Sequence, residues 1–164
     1  MSDEPPAVAT NDDESMITPA MEAEIDAPGD PIEVTITREL VRRMAEALDA
    51  DPDLIAVLES AEETPEGPAW ALFVHFGRYR QRRLPDAPKR GLMAADELTI
   101  LAPVRVGDTL TVVSKIAGIN ERIGGRVGHS LFVDHEWTYT NQRGEEVART
   151  RRTVTFFKDK HSGE

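Results

Sequence analysis

The densest group of chemically capable side chains lies between residues 78 and 90. Arg78, Arg80, Arg82, Arg83, Lys89 and Arg90 are opposed by one acid, Asp86. Guanidinium forks bind phosphate oxygens in pairs, so such a cluster suits a phosphorylated ligand. Two other readings compete with this one. The cations can be the solvated end of a helix, where the dipole favours them, or they can dock an acidic segment. The histidines carry less. His75 sits in the most apolar run of the chain, with Phe73, Val74 and Phe76 around it. It reads first as a core or interface side chain, and second as a general base reached from another element. His135 falls on the apolar side of an alternating run and reads as buried, with one ring nitrogen satisfied. His129, beside Gly128, is expected at the surface. No two histidines stand at metal-ligand spacing and the chain has no cysteine, so no metal is assigned and thiolate chemistry is excluded.

The elements that position these groups fall into two halves. Residues 1–15 are polar, acidic and read as disordered. Residues 16–26 can make one short helix, with Met16, Ile17, Met21 and Ile25 on one side. Ile32, Val34 and Ile36 alternate with polar residues as a first strand. Thr37 caps a following helix with Glu39 in its first turn, and Leu40, Val41, Met44, Ala47 and Leu48 recur at helical spacing. The run "PAWALFVHFGRYRQRRL" predicts a helix from Pro68. It is apolar on nearly every side at its start, and such a helix must be buried.

From about Glu97 the period becomes two. Strands are expected over Leu98–Leu101, Thr109–Ile119, Ser130–Thr140 and Val147–Phe157. Turns fall at Gly124-Gly125 and at Asn141 to Gly144. Leu131, Val133, His135, Trp137 and Tyr139 share one face. Arg149, Arg151 and Arg152 are placed on a strand surface. Long strands joined by short turns make an antiparallel meander. The expected fold is therefore α+β: a hot-dog, with a curved antiparallel sheet wrapped around a central buried helix.

Charge refines the domain reading. The net charge is −11, yet the first 31 residues hold nine acids and no Lys or Arg. The acidity belongs to an extension, and the body is nearly neutral. Nucleic acid is disfavoured as a partner, because the body is not basic. No apolar run approaches the length of a membrane span, and the start lacks the layout of a signal peptide, so no membrane association and a cytoplasmic location are expected. The division reads as an acidic, largely disordered extension over 1–30, one domain over 31–158 and a tail over 159–164.

The stretch "APVRVGDTLTVVSKIAGINERIGGRVGHSLFVDHEWTYTNQRGEEVARTRRTVTFF" resembles the second half of MaoC-like dehydratase domains, in their N-terminal, FAS1-type branch. The signposts are Pro103, Arg105 with Gly107-Asp108, the Gly124-Gly125 turn, the "YTNQRGEEVA" hairpin and the "RTRRTV" strand. With the helix at 37–48, the resemblance covers roughly residues 30–158.

It implies hydration or dehydration of acyl thioesters of CoA or acyl carrier protein, with no cofactor. Active members are similar in a turn Gly-Asp-x-Asn-Pro-x-His, whose Asp and His hold one water as base and then acid. Here the matching stretch is "LDADPDL". Asp49 matches the Asp, Asp51 the Asn and Pro52 the Pro, but Leu48 replaces the Gly and Leu54 the His. The imidazole is missing, so no catalytic residue is assigned, and Asp49 and His75 stay as candidates. The layout implies that the helix start at Pro68, Ala69 and Trp70 faces the thioester carbonyl, with the N–H groups of Ala69 and Trp70 as its donors, and that Arg78, Arg82 and Arg83 lie on the CoA phosphates.

The expected function is acyl-thioester hydratase/dehydratase chemistry, enoyl-CoA to 3-hydroxyacyl-CoA, in a homodimer or in a heteromer whose catalytic hot-dog partner supplies the Asp/His pair. A hot-dog acyl-CoA thioesterase is the alternative enzyme and would release free CoA. A non-catalytic acyl-CoA or partner-binding module would bind without turnover.

Overall fold

The computed structural model describes residues 15–48, 52, 82–124 and 128–157. Its elements run α1 (Pro19–Glu22), β1 (Ile32–Thr35), α2 (Arg38–Ala47), β2 (Arg90–Ile100), β3 (Thr109–Arg122), β4 (Ser130–Asn141) and β5 (Glu146–Phe157). The five strands form one sheet in the order β1-β3-β4-β5-β2, with every pairing antiparallel. Register shifts at Met93/Ala95, Ile116/Gly118 and Tyr139/Thr140 insert bulges, which bend and twist strands that would otherwise be flat.

Parity along the strands decides what is inside. Leu110, Val112, Ser114 and Ile116 of β3 are buried on one face, beside Leu131, Val133, His135, Trp137 and Tyr139 of β4. On β5, Ala148 and Thr150 continue the same face. The inner face supports two apolar clusters. One joins Tyr139, Trp137, Leu110, Val112 and Ala148 to Val41 and Ala45 of α2. The other joins Ile116, Leu131 and Val133 to Met16, Met21 and Leu84. Helix α2 begins as its sequence requires: the Thr37 hydroxyl accepts from the Leu40 N–H at 3.1 Å.

The segment before β1 is more ordered than its composition indicates. The expected helix over 16–26 contracts to Pro19–Glu22, with Pro19 in its first turn and Thr18 as its cap. Asp26, at a φ of 60°, turns the chain onto the sheet instead of continuing the helix. Its N–H donates to the Ile116 carbonyl at 2.8 Å, and that of Gly29 to the Ser114 carbonyl. Residues 25–29 thus satisfy the edge of β3 beyond the end of β1. Farther back, Glu121 accepts from the Ser15 hydroxyl at 2.9 Å and from the Met16 N–H, and meets His129 Nε2 at 2.5 Å. His129, expected at the surface, is mostly covered because this carboxylate draws it in.

The strand expected over Leu98–Leu101 is longer and starts at Arg90. Nothing in "RGLMAADE" alternates, because β2 is an edge strand with nearly all its residues exposed. Its ladder with β5 defines it. The last three strands fall within a few residues of expectation, and Gly144 takes its φ of 77° in the β4–β5 turn. The helix expected from Pro68 lies outside the described residues, apart from Arg82, Arg83 and Leu84 at its expected end, which are not helical.

Asp108 ties the ends of the sheet together. It is buried, and its carboxylate accepts from the Arg105 N–H and the Gln142 amide, each at 2.8 Å. Its backbone carbonyl accepts from the Ile36 N–H at 2.8 Å. Asp108→Ala leaves an amide and a side-chain donor without an acceptor, and is expected to lower stability by ~2–3 kcal/mol in a denaturant melt.

Candidate functional site

Two places on the described surface combine shape with chemistry. The first is a cavity of about 380 Å³ lined by Arg82, Arg83, Leu84, Ala87, Pro88, Lys89 and Phe156. Three cations of the basic cluster meet there over an apolar floor. The floor is tight: a Cβ on Gly91 would come within 2.9 Å of the Phe156 ring. Arg82 has further obligations. Its guanidinium donates to the Pro28 carbonyl at 2.7 Å and forms an ion pair with Glu24. The acidic segment therefore docks on the basic cluster through this arginine, while Arg83 and Lys89 remain at the exposed rim. Asp86 occupies a left-handed turn with φ of 54°, and accepts from the Thr18 hydroxyl at 3.2 Å.

The second place is the inner face of the sheet. His135 lies opposite Ile116 on β3 and opposite Arg152 on β5, and Arg152 lies opposite Asp96 on β2. These residues form one rung across four strands, with His135 and Arg152 separating the two apolar clusters. Arg152 was expected on the strand surface with Arg149 and Arg151. Those two do face outward, paired with Glu146 and Asp134. Arg152 turns inward, its side chain only 14% exposed, because it is in phase with Ala148, Thr150 and Phe156. It forms an ion pair with Asp96, and its guanidinium stands 6.0 Å from the centre of the Trp137 ring. The alternation of "ARTRRTVTF" carries this signal once β5 is known to be half-buried.

His135 departs from the expected single satisfied nitrogen: among the described residues neither ring nitrogen has a partner. Burial pushes its imidazole down to about 4, helped by the Arg152 cation and opposed by Asp134. It is neutral at pH 7. Asp49, His75, Pro68, Ala69, Trp70 and Arg78 lie outside the described residues. Of the expected site residues, the structure therefore brings together Arg82 and Arg83 alone.

The sequence pattern of the FAS1-like, dehydratase domain region matches residues 24–150. The chain belongs to this family. Solved structures agree on the fold of this FAS1-like dehydratase-region protein. The MaoC-like dehydratase from Rhodospirillum rubrum is 20% identical with a TM-score of 0.56, over 82% of this chain and 93% of that one. A chain of the HadBC (3R-hydroxyacyl-ACP dehydratase) complex from Mycobacterium tuberculosis is 20% identical with a TM-score of 0.53, over 80% and 98%. A chain of the ChsH1-ChsH2 complex from the same organism is 13% identical with a TM-score of 0.55, over 84% and 88%. No curated protein matches the chain at a significant level. The FAS1-like dehydratase-region protein thus has the expected hot-dog fold of MaoC-like proteins. Its matched region begins at Glu24, the partner of Arg82, so it takes in part of the acidic segment.

Proposed function

We propose that this protein hydrates or dehydrates acyl thioesters, interconverting enoyl and 3-hydroxyacyl forms, as the substrate-binding and catalytically incomplete subunit of a heteromer. The carrying observation is a family match over 24–150 whose catalytic turn reads "LDADPDL", with leucine where the imidazole belongs. Adding water across the double bond needs a carboxylate and an imidazole on one water. A chain with the first and not the second binds substrate and relies on a partner for the proton relay.

Two features support a partnered chain. Strand β2 is an 11-residue edge carrying Leu92 at 63% and Met93 at 64% exposure, and such an edge pairs readily with a second sheet. The HadBC and ChsH1-ChsH2 chains of the same fold were solved as complexes. On this reading Arg83 and Lys89 hold CoA phosphates at the rim of the basic cavity, and Arg82 is held in place by Glu24.

The test is an enoyl-CoA assay on the full chain alone and after co-production with a hot-dog partner bearing Gly-Asp-x-Asn-Pro-x-His. The lone chain is expected to bind acyl-CoA without turnover, and the pair to consume enoyl absorbance. Arg83→Glu with Lys89→Glu is expected to weaken acyl-CoA binding about tenfold, through lost charge-assisted hydrogen bonds. Robust activity of the lone chain that Asp49→Asn or His75→Ala abolishes would overturn the subunit reading. Release of free CoA thiol would assign a thioesterase instead.

A further inference from the structure

The basic cavity is only partly neutralised by the segment that crosses it. Arg82 is paired with Glu24, but Arg83 and Lys89 are exposed at the rim and have no ion pair among the described residues. Asp86, the acid nearest them in sequence, accepts from the Thr18 hydroxyl. The fold also fixes where the chain enters this neighbourhood. The described residues begin at Ser15, whose hydroxyl donates to Glu121 at 2.9 Å. Glu121 lies opposite Leu131, and Leu131 opposite Phe156, whose ring lines the cavity. Directly opposed residues point to one face of a sheet, so Ser15 is held over the cavity's own face, two strand spacings or about 10 Å from Phe156. Met16 shares a buried cluster with Leu84, and Ala87 and Phe156 pack on that cluster. All three of those partners line the cavity.

Residues 1–14 hold the acids Asp3, Glu4, Asp12, Asp13 and Glu14, and no Lys or Arg. Three of these acids are consecutive and adjoin Ser15. A residue spans at most about 3.5 Å, so Glu14, Asp13 and Asp12 reach to about 3.5, 7 and 10 Å beyond Ser15. That reach matches the distance to the cavity. Carboxylates make charge-assisted hydrogen bonds to guanidinium and ammonium groups. Each exposed pair is weak, but a tether this short keeps the acids at a high effective concentration, so that weak pairs suffice to fill the site. We propose that Asp12, Asp13 and Glu14 dock on Arg83 and Lys89, which makes the basic cavity an interaction surface for the chain's own N-terminal segment. Docked acids and ligand phosphates take the same donors and exclude each other. The exclusion rests on the reading of this rim as the CoA-phosphate site, whereas the docking stands on charge and reach.

Two measurements on the full chain test the two parts. Carbodiimide joins a carboxylate to an amine that it contacts. Peptide mapping of the dilute, treated protein is expected to find Lys89 linked to Asp12, Asp13 or Glu14, with the Lys115–Asp26 pair, 2.8 Å apart, as internal control. Links from the three acids to Lys158 or Lys160 and none to Lys89 would overturn the docking, as would no link from them while the control pair reacts. Calorimetry with hexanoyl-CoA reads the exclusion. The variant with Asp12→Asn, Asp13→Asn and Glu14→Gln is expected to bind about fivefold tighter than wild type at low salt, because the wild-type cavity is open about one fifth of the time. The gain is expected to fall below about twofold near 1 M salt. Asp3→Asn with Glu4→Gln removes like charges farther along the chain and is expected to leave the affinity unchanged. Equal affinity of the wild type and the triple variant, or a matching gain in the Asp3/Glu4 variant, would overturn the exclusion and leave the thioester reading standing. Failure of every chain to bind hexanoyl-CoA would end the thioester reading and the exclusion with it, and the cross-link alone would then decide the docking.

Discussion

Tyr139→Ala is expected to destabilise the protein by about 4 kcal/mol, the range for emptying a large aromatic from a packed core. Tyr139 is wholly buried at the centre of the cluster that joins β3, β4, β5 and α2. Its ring lies between Val112 and Ala148 in the sheet register, so its loss leaves a cavity bounded by backbone ladders on both sides, which cannot close. The hydroxyl contributes less. It lies 3.3 Å from the Thr150 hydroxyl, and Tyr139→Phe is expected to cost about 1 kcal/mol. Burial pushes the phenol up to about 12 from an ordinary 10.0, against the opposing Thr150 hydrogen bond. The unfolded chain therefore loses this proton first, and stability falls as pH rises between those two values. Urea melts across that range check both statements: the alkaline fall should become shallower in Tyr139→Phe, leaving the part that Lys115 contributes through its raised pKa beside Asp26, and a loss below about 2 kcal/mol for Tyr139→Ala would show that the cluster is not close-packed.

Acid is expected to unfold the protein through His135. Its imidazole titrates at about 4 in the folded chain, against an ordinary 6.5. Between these values the unfolded state binds a proton that the folded state refuses. Stability is complete above pH 6.5 and declines as pH falls toward 4, by about 3 kcal/mol over the window. The cause is desolvation first, then the Arg152 cation directly opposite, with Asp134 pulling the other way. His135→Phe should flatten the slope between pH 6.5 and 4 and raise stability at neutral pH, because it also removes two nitrogens that have no partner among the described residues. An unchanged slope in that variant would move the acid sensitivity to other groups. The folded-state imidazole can be followed directly by its carbon-bound proton resonances as pH is lowered.

Much of the architecture is legible because it is written locally. Alternation over Leu131–Tyr139 places five side chains inside, and all five are buried. The Thr37 cap and the Asn141–Gly144 turn follow from side chains that bond their own neighbours: the Asn141 carboxamide oxygen accepts from the Arg143 and Glu145 N–H groups. Strand β2 was readable only at its end, since an edge strand exposed on both faces has no alternation to read. The candidate site was legible as composition and not as arrangement. Six cations stand together in the sequence, yet Arg82 is bound to Glu24, 58 residues away, and its role changes from free cation to anchor of the N-terminal segment.

By itself, then, the sequence determined the meander, the inward face of β4, the helix cap and the missing imidazole at Leu54. These depend on the two-residue period of a strand and on contacts a few residues apart. The tertiary structure alone decided that β2 pairs with β5, that the acidic segment covers the β3 edge, and that Arg152 joins His135 and Trp137 on one face. Each of those joins residues distant in the chain, where the register of paired strands sets the neighbours and no local pattern records them.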